Sequence, residues 1–343
     1  MNILQVMAGA AVGGAEGFFI DAITALEETD IEQSALLRGN SQTRLQDLQK
    51  LGVTYETASF DKNLYCPTQA KLKRLIQEKK PDLVHHWLGR AGSFAVSGNH
   101  INLGWYGAYY HPKYYKNCDH HIAVTKDVAD HIISYGIDPK KVHVLHIYAE
   151  CQKVQPLNRA DFDTPDDVPL LLSLARLHPV KGLDMLLEAL NDVPEAYLWL
   201  AGSGPEEQNL KMKCEELGLN NRVRFLGWRN DREALLSTAD ICVFPSRNDS
   251  FGAVILEAWA TETPLVATKA PGPRAYVNHE ENGLLVDIDD KKAFVDALRR
   301  VIEENGLTQQ LTANGLKSYK DGFTKEAFKQ NITELYQSVT KGV

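Results

Sequence analysis

The feature that most constrains this chain is an alternation that occurs twice. Short apolar runs, too short for core helices, are separated by stretches with helical periodicity. In the first part the runs fall at residues 3–7, 33–37, 82–85, 101–105, 121–124 and 142–146, and in the second at 170–175, 197–201, 223–226, 241–244, 265–267 and 283–286. Helical patterns at 183–190, 206–217, 253–260 and 292–303 sit between the later runs. A run that is apolar on both sides is a strand covered on both faces, which is the habit of parallel sheets flanked by helices. The pattern predicts an α/β protein of two Rossmann-like domains around a cleft. Between them, residues 152–169 carry Pro156, Pro165, Pro169 and several Asp, with little periodicity. The division expected is therefore residues 1–150, a linker at 151–168, a second domain at 169–322, and a final helix within 323–343 that follows no strand. A length of 343 residues suits about two domains.

Composition excludes several classes. Apolar residues are 44% and charged residues 24%, ordinary for a globular protein. The net charge of −8 argues against a nucleic-acid partner. The charge is uneven, since residues 1–150 carry 15 basic and 16 acidic side chains, against 22 and 29 in residues 151–343. Nine of the eleven histidines lie in the first part. The two parts thus present different surfaces. Five widely spaced cysteines without a Cys-x-x-Cys pair suggest a reduced, cytoplasmic protein. Ala8-Gly9-Ala10-Ala11 is similar to a signal-peptidase site, but no Lys or Arg precedes it. Residues 2–7 are read as the first buried strand.

Ligands of parallel sheets bind beyond the carboxyl ends of the strands, and three motifs lie there. After the first run comes Gly9-Ala10-Ala11-Val12-Gly13-Gly14-Ala15-Glu16. Glycines at a strand-to-helix turn let the backbone approach a ligand, and a helix start offers amides to an anion. The spacing is not Gly-x-Gly-x-x-Gly and no acid ends the second run, which argues against NAD; a plain tight turn reads equally well. After the first run of the second part, Arg176 and Lys181-Gly182 bracket a strand end and a helix start, placed to converge on a diphosphate unless both are solvated surface cations. The third motif runs from Phe244-Pro245-Ser246 through Asp249-Ser250-Phe251-Gly252 to Glu257. Two carboxylates around a helix N-terminus fit a ligand with sugar, phosphate and ribose. Asp249 also reads as an N-cap. Glu257, in an apolar helix, needs a partner.

Taken in order, the Gly-Gly-Ala-Glu loop, Arg176-x4-Lys181-Gly182, Leu200-Ala201-Gly202-Ser203-Gly204-Pro205, Phe225-Leu226-Gly227-Trp228 and the carboxylate pair resemble the family 4 glycosyltransferases, retaining enzymes of the GT-B fold. Pro81-Asp82-Leu83-Val84-His85-His86-Trp87 and the stretch from Gly107 to Tyr115 resemble the members that build bacterial lipopolysaccharide core. The resemblance implies a nucleotide-sugar donor and a saccharide or glycolipid acceptor. It implies that Arg176 and Lys181 bind the diphosphate, that Glu257 binds the ribose, and that Asp249 with the backbone of Ser250, Phe251 and Gly252 holds the sugar. It implies that Gly202 belongs to the donor site. Gly227, Trp228 and Arg229 would hold the base, Gly13 and Gly14 would close on the phosphate from the first domain, and the final helix would cross back to that domain.

Some positions depart from that pattern. Asp249 stands where Glu is usual, Ala275 where an acid is common, and Glu262 where a Gly usually ends the helix. The His often found after the fifth strand is absent from Gly104-Trp105-Tyr106-Gly107, leaving His86 and His111 as substitutes. No metal or other cofactor is expected. Asp287-Ile288-Asp289-Asp290 matches an Asp-x-Asp motif, but its place before a helix reads as N-capping. The basic residues Lys71, Lys73, Arg74, Lys79 and Lys80 with Leu72, Leu75 and Ile76, and the tyrosines 106, 109, 110, 114 and 115, suit docking on anionic lipid at the cytoplasmic face of the inner membrane, or equally a solvated helix and a packed aromatic corner. The competing functions are a sugar-nucleotide epimerase of the same fold and a non-catalytic nucleotide-sugar binding module, with a dehydrogenase behind them.

Overall fold

A computed structural model describes residues 1–11, 13–61 and 65–341; Val12 of the glycine-rich turn and the last two residues of the expected C-terminal segment lie outside it. The chain forms two compact units, Met1–Ile147 with Lys325–Val343, and Tyr148–Thr324.

The first unit is built on seven strands, β1 (Asn2–Met7), β2 (Glu32–Arg38), β3 (Thr54–Ala58), β4 (Leu83–Trp87), β5 (Ile101–Tyr106), β6 (His120–Ala123) and β7 (Val142–Val144). Its helices are α1 (Gly14–Ala25), α2 (Gln42–Lys50), α3 (Tyr65–Lys79), α4 (Leu88–Gly92) and α5 (Lys126–Ser134). All pairings are parallel, in the order β3-β2-β1-β4-β5-β6-β7. The first four expected runs are central strands whose side chains are buried on both faces, such as Ile3, Leu4, Val6 and Met7 at 0% exposure. β3 is missing from the sequence reading because it is an edge strand of polar residues, Thr54, Glu56 and Thr57 among them.

The second unit has β8 (Leu170–Leu174), β9 (Tyr197–Ala201), β10 (Val223–Gly227), β11 (Ile241–Phe244), β12 (Leu265–Thr268) and β13 (Leu284–Val286), again parallel, in the order β10-β9-β8-β11-β12-β13. Its helices are α6 (Leu183–Asn191), α7 (Glu207–Glu216), α8 (Arg232–Thr238), α9 (Ala253–Ala260), α10 (Lys291–Glu303) and α11 (Asn305–Gly322). In α6, Leu183, Leu186, Leu187 and Leu190 recur at helical spacing and are all buried against the sheet, each stabilising the fold by roughly 1.5–3 kcal/mol. In each sheet the strand order reverses once, between β1 and β4 and between β8 and β11, and such a reversal opens a crevice at the carboxyl ends of the strands.

One expectation about the chain's course changes. Residues 151–168 are not a free linker but a strap on the second unit. Arg159 donates to the Thr238 carbonyl (2.8 Å) and to Asp240 (2.9 Å), and Phe162 packs on Trp199 with ring centroids 4.7 Å apart. The last helix, α12 (Lys325–Thr340), belongs to the first unit. Phe328 meets Phe18 of α1 edge-on at 5.2 Å, and Tyr336 bonds Nδ1 of His85 at 2.8 Å.

The basic helix α3 spends its apolar side on the core, with Leu72 at 0% and Leu75 at 4% exposure. Arg74 is paired to both Glu56 and Glu78. Tyr106 and Tyr115 are buried and stacked at 4.0 Å, so this end of the aromatic cluster is a packed corner. No helix among the described residues is long and apolar enough to cross a membrane. All five cysteines are free.

Candidate active site

At the β8/β11 reversal the loops after the two strands are joined by backbone. Arg247 and Asn248 donate to the Val180 carbonyl, at 2.8 and 3.3 Å. Gly182 makes this approach feasible. Its φ is +64°, and a Cβ there would stand 2.1 Å from the Pro245 carbonyl oxygen. Arg247 pins the junction further, donating to both oxygens of Asp184 (2.8 Å each) in the first turn of α6 and to Asp289 (2.7 Å). Asp290 caps α10 through the Ala293 amide (2.9 Å), and Asp287 pairs with Lys269 (2.8 Å). Two of these carboxylates thus anchor loops and one caps a helix, and no cluster of three metal-ligating side chains occurs among the described residues.

This joined frame brings Lys181 and Asp249 together. Lys181 Nζ donates to Asp249 Oδ2 at 2.5 Å, both side chains being about four-fifths buried. The other oxygen, Oδ1, accepts from the Phe251 amide at 3.0 Å, so Asp249 performs local capping and cation pairing at once. Next to it Gly252, at φ +85°, sets the start of α9. Tyr276 donates to the carbonyls of Phe251 and Gly252, fixing Ser250, Phe251 and Gly252 as a rigid turn whose side chain Phe251 is buried. The phenol is pushed well above its ordinary range by burial and by the Asp249 charge, so it stays protonated and can donate.

About one turn into α9, Glu257 is 4% exposed. One oxygen accepts from Arg232 at 2.5 Å, and Oε2 is buried without a partner. Burial raises the Glu257 pKa against the pull of Arg232. The thiols of Cys151 and Cys242 are pushed up to about 12, by burial first and by this carboxylate second. A buried carboxylate oxygen lacking a donor is costly unless a ligand hydroxyl supplies one. Arg232 escaped the sequence reading because its partner is 25 positions away and no spacing rule links them. Tyr276 and Arg247 were missed for the same reason.

Of the remaining residues expected on the donor side, Arg176 is exposed on the loop after β8, its side chain without ion pair or hydrogen bond among the described residues. Gly202 donates its amide to the Gly227 carbonyl at 2.7 Å, tying the ends of β9 and β10. Trp228 is 71% exposed beside that turn, while Arg229 pairs with Asp231 (2.5 Å) and lies over the Phe162 ring.

In the first unit the glycine-rich turn differs from an open anion cradle. The Glu16 carboxylate takes the Ala10 amide at 2.7 Å, and a Cβ on Gly13 would meet its Oε2 at 2.2 Å, so the chain's own anion fills the space beside Gly13. Gly14 faces open space. His86 is no substitute base. It is fully buried in β4, bonded to Asn102 at 2.9 Å, with its pKa lowered to about 4 by desolvation. His111 is exposed and caps a short turn by accepting from the Lys113 amide at 3.1 Å, with its ring on Tyr135.

Comparison with known proteins follows the same division. The model of the glycosyl transferases group 1 matches residues 154–318, and that of glycosyltransferase family 4 matches residues 12–147. The lipopolysaccharide core biosynthesis glycosyltransferase LpsE of Rhizobium meliloti (strain 1021) is 33% identical over 335 residues, 94% of each chain. LpsD of the same organism is 31% identical over 344 residues, 98% of each. Among solved structures, Anabaena Alr3699/HepE in complex with UDP and glucose superposes with a TM-score of 0.83 at 22% identity, covering 98% of this chain and 99% of that one. The lipopolysaccharide outer core galactosyltransferase WaaB in its apo form gives 0.78 at 19%, covering 98% and 99%. The chain therefore belongs to the family 4 glycosyltransferases, enzymes with two Rossmann-like domains of the GT-B type. Its similarity to LpsE and LpsD runs the length of all three chains.

Proposed function

We propose that this glycosyltransferase moves a hexosyl group from a UDP- or GDP-sugar to a saccharide acceptor of the lipopolysaccharide core type, with retention of anomeric configuration and without a metal ion. The observation that carries the reading is the meeting of Lys181 and Asp249 at the reversal of the second sheet, beside the start of α9, with a carboxylate oxygen of Glu257 still lacking a donor. The bound UDP and glucose of HepE and the core-biosynthesis relatives support the donor and acceptor classes.

In this reading Lys181 exchanges part of its contact with Asp249 for the donor diphosphate, and Arg176 reaches the same group from the exposed loop. Asp249 and the backbone of Ser250, Phe251 and Gly252 hold the transferred sugar. Glu257 Oε2 accepts from a ribose hydroxyl. The turn at Gly227, Trp228 and Arg229, with Gly202 beside it, holds the base, and Gly14 rather than Gly13 leaves room for a phosphate. The bond from the anomeric carbon to the diphosphate oxygen breaks as the acceptor oxygen adds from the same face. Negative charge then grows on the diphosphate, where preorganised cations stabilise the transition state. Cationic side chains take the place of a divalent ion, so EDTA leaves turnover unchanged.

Melting temperatures in a panel of UDP- and GDP-sugars test the donor class, since ligands that bind only the folded state raise them. A shift with one nucleotide series, followed by transfer to a core oligosaccharide with retained configuration by NMR, is the expected result. Donor binding without transfer to any acceptor overturns the catalytic reading in favour of a binding module.

A further inference from the structure

The reversal of the first sheet carries chemistry of its own. An open cavity of about 690 Å³ lies at the carboxyl ends of β2 and β3, lined among others by Arg38, Asn40, Thr57, Ser59 and Arg90. A neighbouring cavity of about 350 Å³ lies at the ends of β1 and β4, with Glu16, Tyr110 and Tyr114 in its wall. Arg38 and Arg90 line both. Of all the arginines, only Arg38, Arg90 and Arg176 have a guanidinium group with no hydrogen bond or ion pair among the described residues, the rest being held by carboxylates, carbonyls or other partners. Arg176 lies on the donor side of the second unit. The other two share one crevice.

The carboxylates near this pair do not neutralise it. Glu16 is engaged by the Ala10 amide and faces the buried Arg44, and Asp61 in the larger cavity is exposed and within 4 Å of neither guanidinium. Guanidinium groups bind carboxylate and phosphate oxygens through paired, charge-assisted hydrogen bonds. Tyr110 and Tyr114 add ring surface on which a sugar can pack, and burial with the Glu16 charge keeps the Tyr110 phenol protonated.

We propose that Arg38 and Arg90 form an anion-binding site that selects an acceptor sugar bearing a negative group, either a phosphate monoester or a carboxylate. The proposal rests on the transferase reading only for the word acceptor. The site itself lies wholly within the first unit.

The test titrates the full chain with glucose 6-phosphate, glucuronate and methyl glucoside, observed by saturation-transfer NMR, in the wild type and in Arg38→Gln, Arg90→Gln and the double variant. The charged sugars are expected to bind at least about tenfold more tightly than methyl glucoside, and each single variant to lose about tenfold. Whichever charged sugar binds better distinguishes phosphate from carboxylate. Equal binding of charged and neutral sugars, binding of none, or unchanged binding in the double variant overturns the proposal. UDP binding, read in parallel by thermal shift, is expected to be unchanged in all variants. A protein that binds glucose 6-phosphate through the two arginines but no nucleotide sugar keeps this site and loses the transferase reading, so the two failures are distinguishable.

Discussion

The two crevices share a topology and differ in what fills them. In the second unit, charges of opposite sign are brought into contact, Lys181 with Asp249 and Arg232 with Glu257, and backbone bonds fix the loops that carry them. In the first unit, the guanidinium groups of Arg38 and Arg90 stand without partners around two cavities, while His85, His86 and His121 are buried in the sheet. One crevice is prepared, with its charges already spaced for a ligand of fixed chemistry. The other leaves its charges open. The same reversal of strand order is thus furnished in two ways.

The largest expected effect separates the units by pH. His86 and His121 are buried in the first unit with pKa values lowered to about 4, and His85 is lowered well below its ordinary value, in each case chiefly by desolvation. A folded-state pKa below the unfolded one means that the unfolded chain binds protons first. The stability is present above pH 6.5 and is lost as pH falls from there toward 4, by about 3 kcal/mol for each of His86 and His121. The second unit has only His178 and His279. Hydrogen exchange at pH 7 and pH 4.5 should show the first unit losing protection sooner; equal loss in both would remove this part of the contrast.

Next in size is the prepared pair. Lys181→Ala should lower turnover by about 100-fold or more while the melting temperature stays close to wild type. Activity within about tenfold of wild type counts against its role on the diphosphate. Arg232→Gln strips the buried Glu257 of its partner and should destabilise by about 2 kcal/mol at pH 7, a value discounted because Arg232 is itself more than half exposed. The deficit should shrink as pH falls, because burial raises the Glu257 pKa and favours its neutral form, and urea midpoints at pH 7 and at a lower pH measure this.

The smallest effect concerns the end of α9. Glu262 sits at φ +59°, with its amide on the Trp259 carbonyl and that of Thr263 on the Ala258 carbonyl, the bonding of a helix end that favours glycine. Its ion pair with Lys153 at 3.6 Å is exposed and weak. Glu262→Gly should stabilise by roughly 1 kcal/mol, seen as a raised urea midpoint with an unchanged slope.

Much of the second unit's candidate site was readable in order along the chain. Arg176, Lys181, Asp249 and Glu257 follow strand ends, and a parallel sheet delivers strand ends to one edge. The first unit was not readable in this way. His86 stood in for the His absent from Gly104-Trp105-Tyr106-Gly107, yet β4 alternates between covered faces and leaves the rings of His85 and His86 at 0% exposure. The proline-rich stretch at 151–168 looked like a linker, but Arg159 and Phe162 find partners some 37–81 positions away.

By itself the sequence determined the strand order's raw material: twelve apolar runs, their helical spacers, and the charged loops after β8 and β11, because burial on both faces leaves an uninterrupted apolar signature. Tertiary structure alone decided which charges meet and which stay free. That Lys181 bonds Asp249, that Arg232 answers Glu257, and that Arg38 and Arg90 share a crevice without a counterion are facts about distance in space. Local periodicity reports only which side of an element is covered, and carries no information about which distant side chain stands opposite.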